Sequence, residues 1–315
     1  MKVDRLILIL LVSAGFARAD FSRPFEPIVL TGAHLPALVG TKPTHLAAFR
    51  YNTTWEQIPL QIDERKQVDS GQVRNKDGQK DGATFLWYAD STTHTGADDN
   101  PLFDADDELV VMARDGGPSA PEDAEPPPGV LAKSRMVIAV KDPSKPEADN
   151  NTATFYLFKT DGSLPTDAGK DYVSYEYKLK AGPYLEHFNL SAGPNPEDSI
   201  VKTAHYRTRF TDRWVRDEFV ITSGDAGGID ILDLDRMASP TGRGHNETRW
   251  SEDEEFGGAF VANIDGPIRA IRSYLGAGPA PLMQRQHIFY EQREEVALHH
   301  RLMGLPSGIT FHDTL

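Results

Sequence analysis

Apolar residues recur in short runs of strand length, separated by glycine, proline, asparagine and aspartate: EPIVLTG, HLAAFRY, EQIPLQID, DELVVMAR, RMVIAVK, ATFYLFK, YVSYEYKLKA, FVITSG, GGAFVANID and PIRAIRSYL. The runs are rich in β-branched and aromatic residues, which fit a pleated surface. Long amphipathic patterns of helical period are nearly absent. Twenty-six glycines and twenty-two prolines are spread along the chain, interrupting helices and supplying turns. The pattern predicts an all-β protein: a β-sandwich or supersandwich with long irregular loops.

The first residues, MKVDRLILILLVSAGFARAD, couple Lys2 and Arg5 to an apolar run followed by the small residues Ala17 and Ala19. This is the layout of a secretory signal peptide, here residues 1–19, and it predicts a secreted, extracellular protein. The apolar run is far shorter than the roughly 20 residues a bilayer-spanning helix needs, so no membrane span is expected. Cysteine is absent, which excludes a disulfide scaffold, thiol nucleophiles and zinc–thiolate sites. A net charge of −14 disfavours nucleic acid as a partner, while leaving room for a local basic groove that holds an acidic glycan. Asn52, Asn150, Asn189 and Asn246 begin Asn-x-Ser/Thr sequons, which are glycosylation acceptors in a eukaryotic host.

Prolines and acids replace the apolar pattern at residues 115–131. The stretch predicts a linker or loop between an N-terminal β module (20–114) and a C-terminal β-sandwich module (132–315). The alternative is a long loop inside one sandwich. A strand-like GITFH close to the last residue leads to the expectation that the C-terminal module is truncated.

The chemistry-bearing stretch is GPIRAIRSYLGAGPAPLMQRQHIFYEQREE, residues 266–295. If IRAIRSYL is a strand, its period of two puts Arg272 and Tyr274 on one face and Arg269 on the other. If QRQHIFYEQRE is extended, Arg285, His287, Phe289, Glu291 and Arg293 share a face opposite Ile288 and Tyr290. Arginine's planar fork matches a carboxylate, so Arg269, Arg272 and Arg293, with Tyr274, are candidates to hold an acidic sugar, and Arg285 to neutralise it. His287 or Tyr290 could then take the proton of a β-elimination, and Glu291 could act as acid or nucleophile in hydrolysis. The competing reading is that alternating Arg, Glu and Tyr form ion pairs on a sheet.

A second basic stretch, HYRTRFTDRWVRDEF, alternates His205 and Arg207 with Tyr206, and Trp214 follows. These residues suit sugar stacking and cation–π contact as well as an ordinary half-buried strand. The acidic run around Asp104, Asp106, Asp107 and Glu108 supplies hard oxygen ligands of the kind calcium takes, but a Pro and a Phe break the EF-hand spacing. The histidines show no HxH or HExxH spacing, and GxSxG and phosphate-loop motifs are missing.

The blocks WEQIPLQIDERKQVD, PLFDADDELVVMARDGG, GAFVANIDGPIRAIRSYLGA and QRQHIFYEQRE together resemble an uncharacterised family of large secreted proteins from bacteria and some invertebrates. The resemblance implies an extracellular β-rich protein, often longer at its C-terminus. It carries over no catalytic residue. The residues themselves lead to the expectation of a secreted carbohydrate-active protein with lyase-like or hydrolase-like action on an acidic polysaccharide. The alternative is a non-catalytic extracellular carbohydrate-binding protein, or a calcium-stabilised matrix protein.

Overall fold

The structure, a computed structural model, describes residues 23–75, 77–146, 151–180, 197–212, 214–237, 258–276, 283–300 and 311–314. The expected signal peptide and the sequons at Asn150, Asn189 and Asn246 lie outside the described residues. The strands run in chain order β1 (Pro27–Thr31), β2 (Leu46–Asn52), β3 (Thr54–Ile58), β4 (Gln61–Asp63), β5 (Arg65–Asp69), β6 (Thr84–Tyr88) and β7 (Glu108–Met112). Next come β8 (Met136–Lys141), β9 (Thr152–Lys159), β10 (Val173–Glu176), β11 (Ser199–Thr203), β12 (Tyr206–Asp212) and β13 (Val215–Ile221). The last are β14 (Ile229–Asp230), β15 (Leu234–Met237), β16 (Gly258–Asp265), β17 (Ala270–Gly276), β18 (Met283–Phe289), β19 (Glu294–His300) and β20 (Phe311–Thr314). A five-residue helix, Ser70–Arg74, is capped by the Asp69 side chain, which accepts from the Gly71 N–H.

The strands pair antiparallel into several open sheets, so the chain has the all-β, sandwich-like architecture its apolar runs predict. The sheet β3-β2-β9-β8 packs on the sheet β1-β7-β4. Ala48, Ile58, Phe155 and Leu157 from the first meet Leu109 and Val111 from the second. β7 is buried on both faces: Val110 and Met112 turn the other way into a second core with Tyr175, Val201, Phe210, Ala270 and Phe289. That double burial is why ELVVM reads as an unbroken apolar run rather than an alternating one. The second core is closed by the sheet β10-β11-β12-β13-β15-β20 and by the sheet β16-β17-β18-β19. β5 and β6 form a separate pair, and their Val68 and Trp87 pack on Ala259, Val261 and Leu275 of the latter sheet.

The boundary expected at 115–131 falls inside one sheet, because β2 pairs with β9 across it. The stretch itself is a strap. Gly117 bridges Thr154, Val130 bridges Thr160, and the Trp55 indole N–H donates to the Glu125 carbonyl at 2.6 Å. Ala120 and Val130 of the strap, together with Leu164 beyond β9, cover the outer-face aromatics Phe49, Tyr156 and Phe158.

Candidate functional site

Within β17 and β18 the period-two reading of the 266–295 stretch holds. On neighbouring strands β17 and β18, Arg272 lies opposite His287 and Tyr274 opposite Arg285, so all four share a face. Ile271, Ile288 and Tyr290 pack on the other face with Tyr88 and Ala262. β18 ends at Phe289, and residues 290–293 form the turn into β19. Glu291 and Arg293 therefore leave the strand alternation.

The tertiary structure divides the candidate residues among three clusters. The first is an ionic layer between the β16–β19 sheet and the sheet containing β11–β13 and β15. Arg272 binds Glu197 with both Nη atoms, at 2.9 and 2.5 Å, and donates to the Tyr175 hydroxyl at 3.1 Å. Arg285 donates to Asp235 at 2.6 Å, and Arg216 bridges Asp235 at 3.1 Å and Glu294 at 2.5 Å. The His287 Nδ1–H donates to Glu294 at 2.6 Å. Trp214 and Tyr274 close the layer edge to face, 4.6 Å apart.

Burial, with the Arg285 charge added, pushes His287 down to about 4, so its ring is neutral at pH 7. Burial acts to raise Glu294, but the hydrogen bond from His287 and the charge of Arg216 bring it down to about 2. Burial pushes the Tyr274 hydroxyl up to about 12. Arg272, Tyr274, His287 and Trp214 are fully out of solvent. The expected roles of Arg272 and Tyr274 in holding a sugar, and of Arg285 and His287 in catalysis, are therefore not met: each faces the partner sheet instead of a cleft. The layer realises the ion-pair reading, turned inward.

The second cluster centres on Arg269, which follows β16. Its guanidinium pairs with Asp63 at 2.7 Å and Glu108 at 2.5 Å, and its backbone N–H and C=O are both bound by the Gln61 side chain. Tyr290 reaches the same guanidinium at 3.5 Å, and burial raises its hydroxyl pKa. Neither residue meets solvent as the sugar-holding or proton-moving reading requires.

This cluster also takes up Glu108, one of the four candidate calcium ligands. Glu108 is turned away from the acidic loop toward Arg65, Tyr88 and Arg269. Burial acts to raise its pKa, but Arg269 holds it below the usual range. Asp107 spends its two oxygens on the N–H groups of Arg65 and Asp104. Asp104 accepts from Asn100 and from the Asp106 N–H. A hydrogen bond shared with Asp104 raises Asp106 to about 6. Among the described residues no three His, Asp or Glu side chains are arranged to hold a metal ion.

The third cluster forms at the β18–β19 turn and is the most open of the three to solvent. The Glu291 carboxylate, fully buried, contacts Arg114, Lys170 at 2.8 Å and His205 at 3.7 Å. Lys170 is 51% exposed and His205 28%. Exposed Gln292 donates to His205 Nε2, whose other nitrogen meets the Ser223 hydroxyl. Phe25 stands edge-on to His205 at 5.5 Å, and the Tyr206 hydroxyl donates to the Tyr290 carbonyl at 2.7 Å. Arg293 pairs with Glu26 and Glu295, while Arg207 stands apart, paired with Glu218.

The structure thus brings His205, Tyr206, Glu291 and Arg293 together, from stretches that the sequence reading treated separately. It adds Arg114 and Lys170, which no motif marks. A half-open pocket of about 160 Å³, floored by Leu46, Ile58, Leu60 and Ile62, contains none of the candidate residues. Asn52 is exposed at the β2–β3 turn, as a glycan acceptor must be.

No protein-family model, curated protein or solved structure matches this chain.

Proposed function

We propose that this chain is a secreted, non-catalytic β-sandwich protein that binds an acidic extracellular glycan through the surface around Glu291. One contrast supports the reading. The side chains suited to proton transfer, His287 and Tyr290, are enclosed and paired, whereas Lys170, His205 and Gln292 turn polar groups toward solvent beside Phe25. Buried Glu291 anchors Lys170 and Arg114 from below, which orders the cations ahead of any ligand and lowers the entropy cost of binding. An acidic sugar would meet the Lys170 ammonium and the Gln292 amide, with an apolar sugar face against Phe25. Lyase-like action would require His287 or Tyr290 to touch substrate, and hydrolase-like action would require Glu291, whose carboxylate is buried against Arg114 and Lys170.

Titration calorimetry against a panel of acidic and neutral polysaccharides tests the reading, with ultraviolet absorbance of unsaturated uronates and new reducing ends followed in parallel. Binding of acidic members without turnover is expected, weakened roughly tenfold in Lys170→Ala, the loss of one charged contact. Binding of no polysaccharide would overturn it. Appearance of unsaturated products would replace it with the lyase-like reading.

A further inference from the structure

The ionic layer contains a closed ring. Arg285 and His287, two residues apart on one face of β18, are joined through Asp235, Arg216 and Glu294. Every oxygen-bearing member is engaged, yet four polar atoms in or beside the ring are buried with no partner among the described residues: His287 Nε2, Tyr274 Oη, Arg285 Nε and Arg216 Nε. Leaving such atoms unpaired costs about 1–3 kcal/mol each, so native interiors rarely tolerate several at one place. They belong together in space. Tyr274 is the cross-strand neighbour of Arg285, and its ring centroid lies 6.2 Å from that of His287.

We propose that the ring encloses an internal water site, with at least one water molecule accepting from Tyr274 Oη and donating to His287 Nε2. Three features select water over another ligand. The ring's two arginines balance its two carboxylates while His287 is neutral, so no net charge calls for an ion. The unpaired set includes donors (the hydroxyl and the Nε–H groups) and an acceptor (the imidazole Nε2), so the occupant must both give and take hydrogen bonds. Tyr274 and His287 have no solvent-exposed surface, and Phe210 and Phe289 crowd the imidazole at 5.2 and 5.7 Å, which favours a small occupant. A buried water typically makes about three hydrogen bonds to such otherwise unsatisfied groups.

A high-resolution crystal structure of the intact protein at neutral pH tests this directly. The expected result is a density peak within about 2.7–3.2 Å of both His287 Nε2 and Tyr274 Oη. Oxygen-17 relaxation dispersion of the same protein should report a long-lived water that is lost or displaced in Tyr274→Phe. A direct Tyr274–His287 hydrogen bond, or no density between them, would overturn the proposal. The wild-type density decides the matter even if the variant fails to fold.

Discussion

Arg272 and Glu197 form a two-point ion pair in which neither side chain retains any solvent-exposed surface. The guanidinium also lies over the Phe210 ring at 4.2 Å. The pair joins β17 to the residues leading into β11, and so fastens two sheets together. Taking two charges out of water costs nearly as much as their attraction returns, whereas removing one partner strands the other. Arg272→Ala is therefore expected to destabilise the protein by about 3–5 kcal/mol in urea unfolding. The double change Arg272→Met with Glu197→Leu should recover most of that loss. A single variant no less stable than wild type would remove this account of the layer.

Acid should weaken the fold in a defined window. His287 titrates near 4 when folded against 6.5 unfolded, so its stabilisation is complete above pH 6.5 and is lost as pH falls through 4. The charged groups facing it are Arg285, Arg216, Glu294 and Asp235. Glu294, held near 2, adds a further loss between about pH 4.5 and 2. Asp106 runs the other way, since its raised pKa favours the fold as pH drops below 6, but it is solvent-accessible and weighs less. The unfolding free energy should fall by up to about 3 kcal/mol between pH 6.5 and 4. His287→Gln should be less stable at pH 7 and show a flatter slope; an unchanged slope would assign the effect elsewhere.

The β2–β3 turn stores strain. Thr53 adopts φ of +63°, a left-handed conformation that a β-branched side chain enters only at a cost. Asparagine tolerates that region. Thr53→Asn is expected to raise stability by about 0.5–1 kcal/mol, read as a higher thermal midpoint.

Gly32 marks a close approach between the end of β1 and the acidic loop. A Cβ there would lie 1.7 Å from the Asp104 carbonyl oxygen. The Gly32 N–H also donates to the Asp107 carbonyl at 2.9 Å. Gly32→Ala must push the loop away, and a cost of about 1–3 kcal/mol or more is expected from the overpacking. Denaturant midpoints of the variant and wild type measure it; equal midpoints would mean the loop moves freely.

Local regularity was legible in the sequence. The period of two assigned Arg272 and Tyr274 to one face of their strand, and Arg285 and His287 to one face of theirs opposite Ile288, because alternation is a property of the extended backbone and needs no knowledge of neighbours. What each face meets is a different kind of information. Glu197, Asp235 and Asp63 stand 75, 50 and 206 residues from the arginines they bind, and no spacing rule links them. Glu291 shows the same limit from the other side: it lies two residues past the end of β18, where alternation has stopped, and packing under Arg114, Lys170 and His205 sets its surroundings. Strand periodicity determined which side chains travel together. Only the stacking of one sheet on another decided that the reactive-looking face turns inward, where desolvation makes every charge seek a partner.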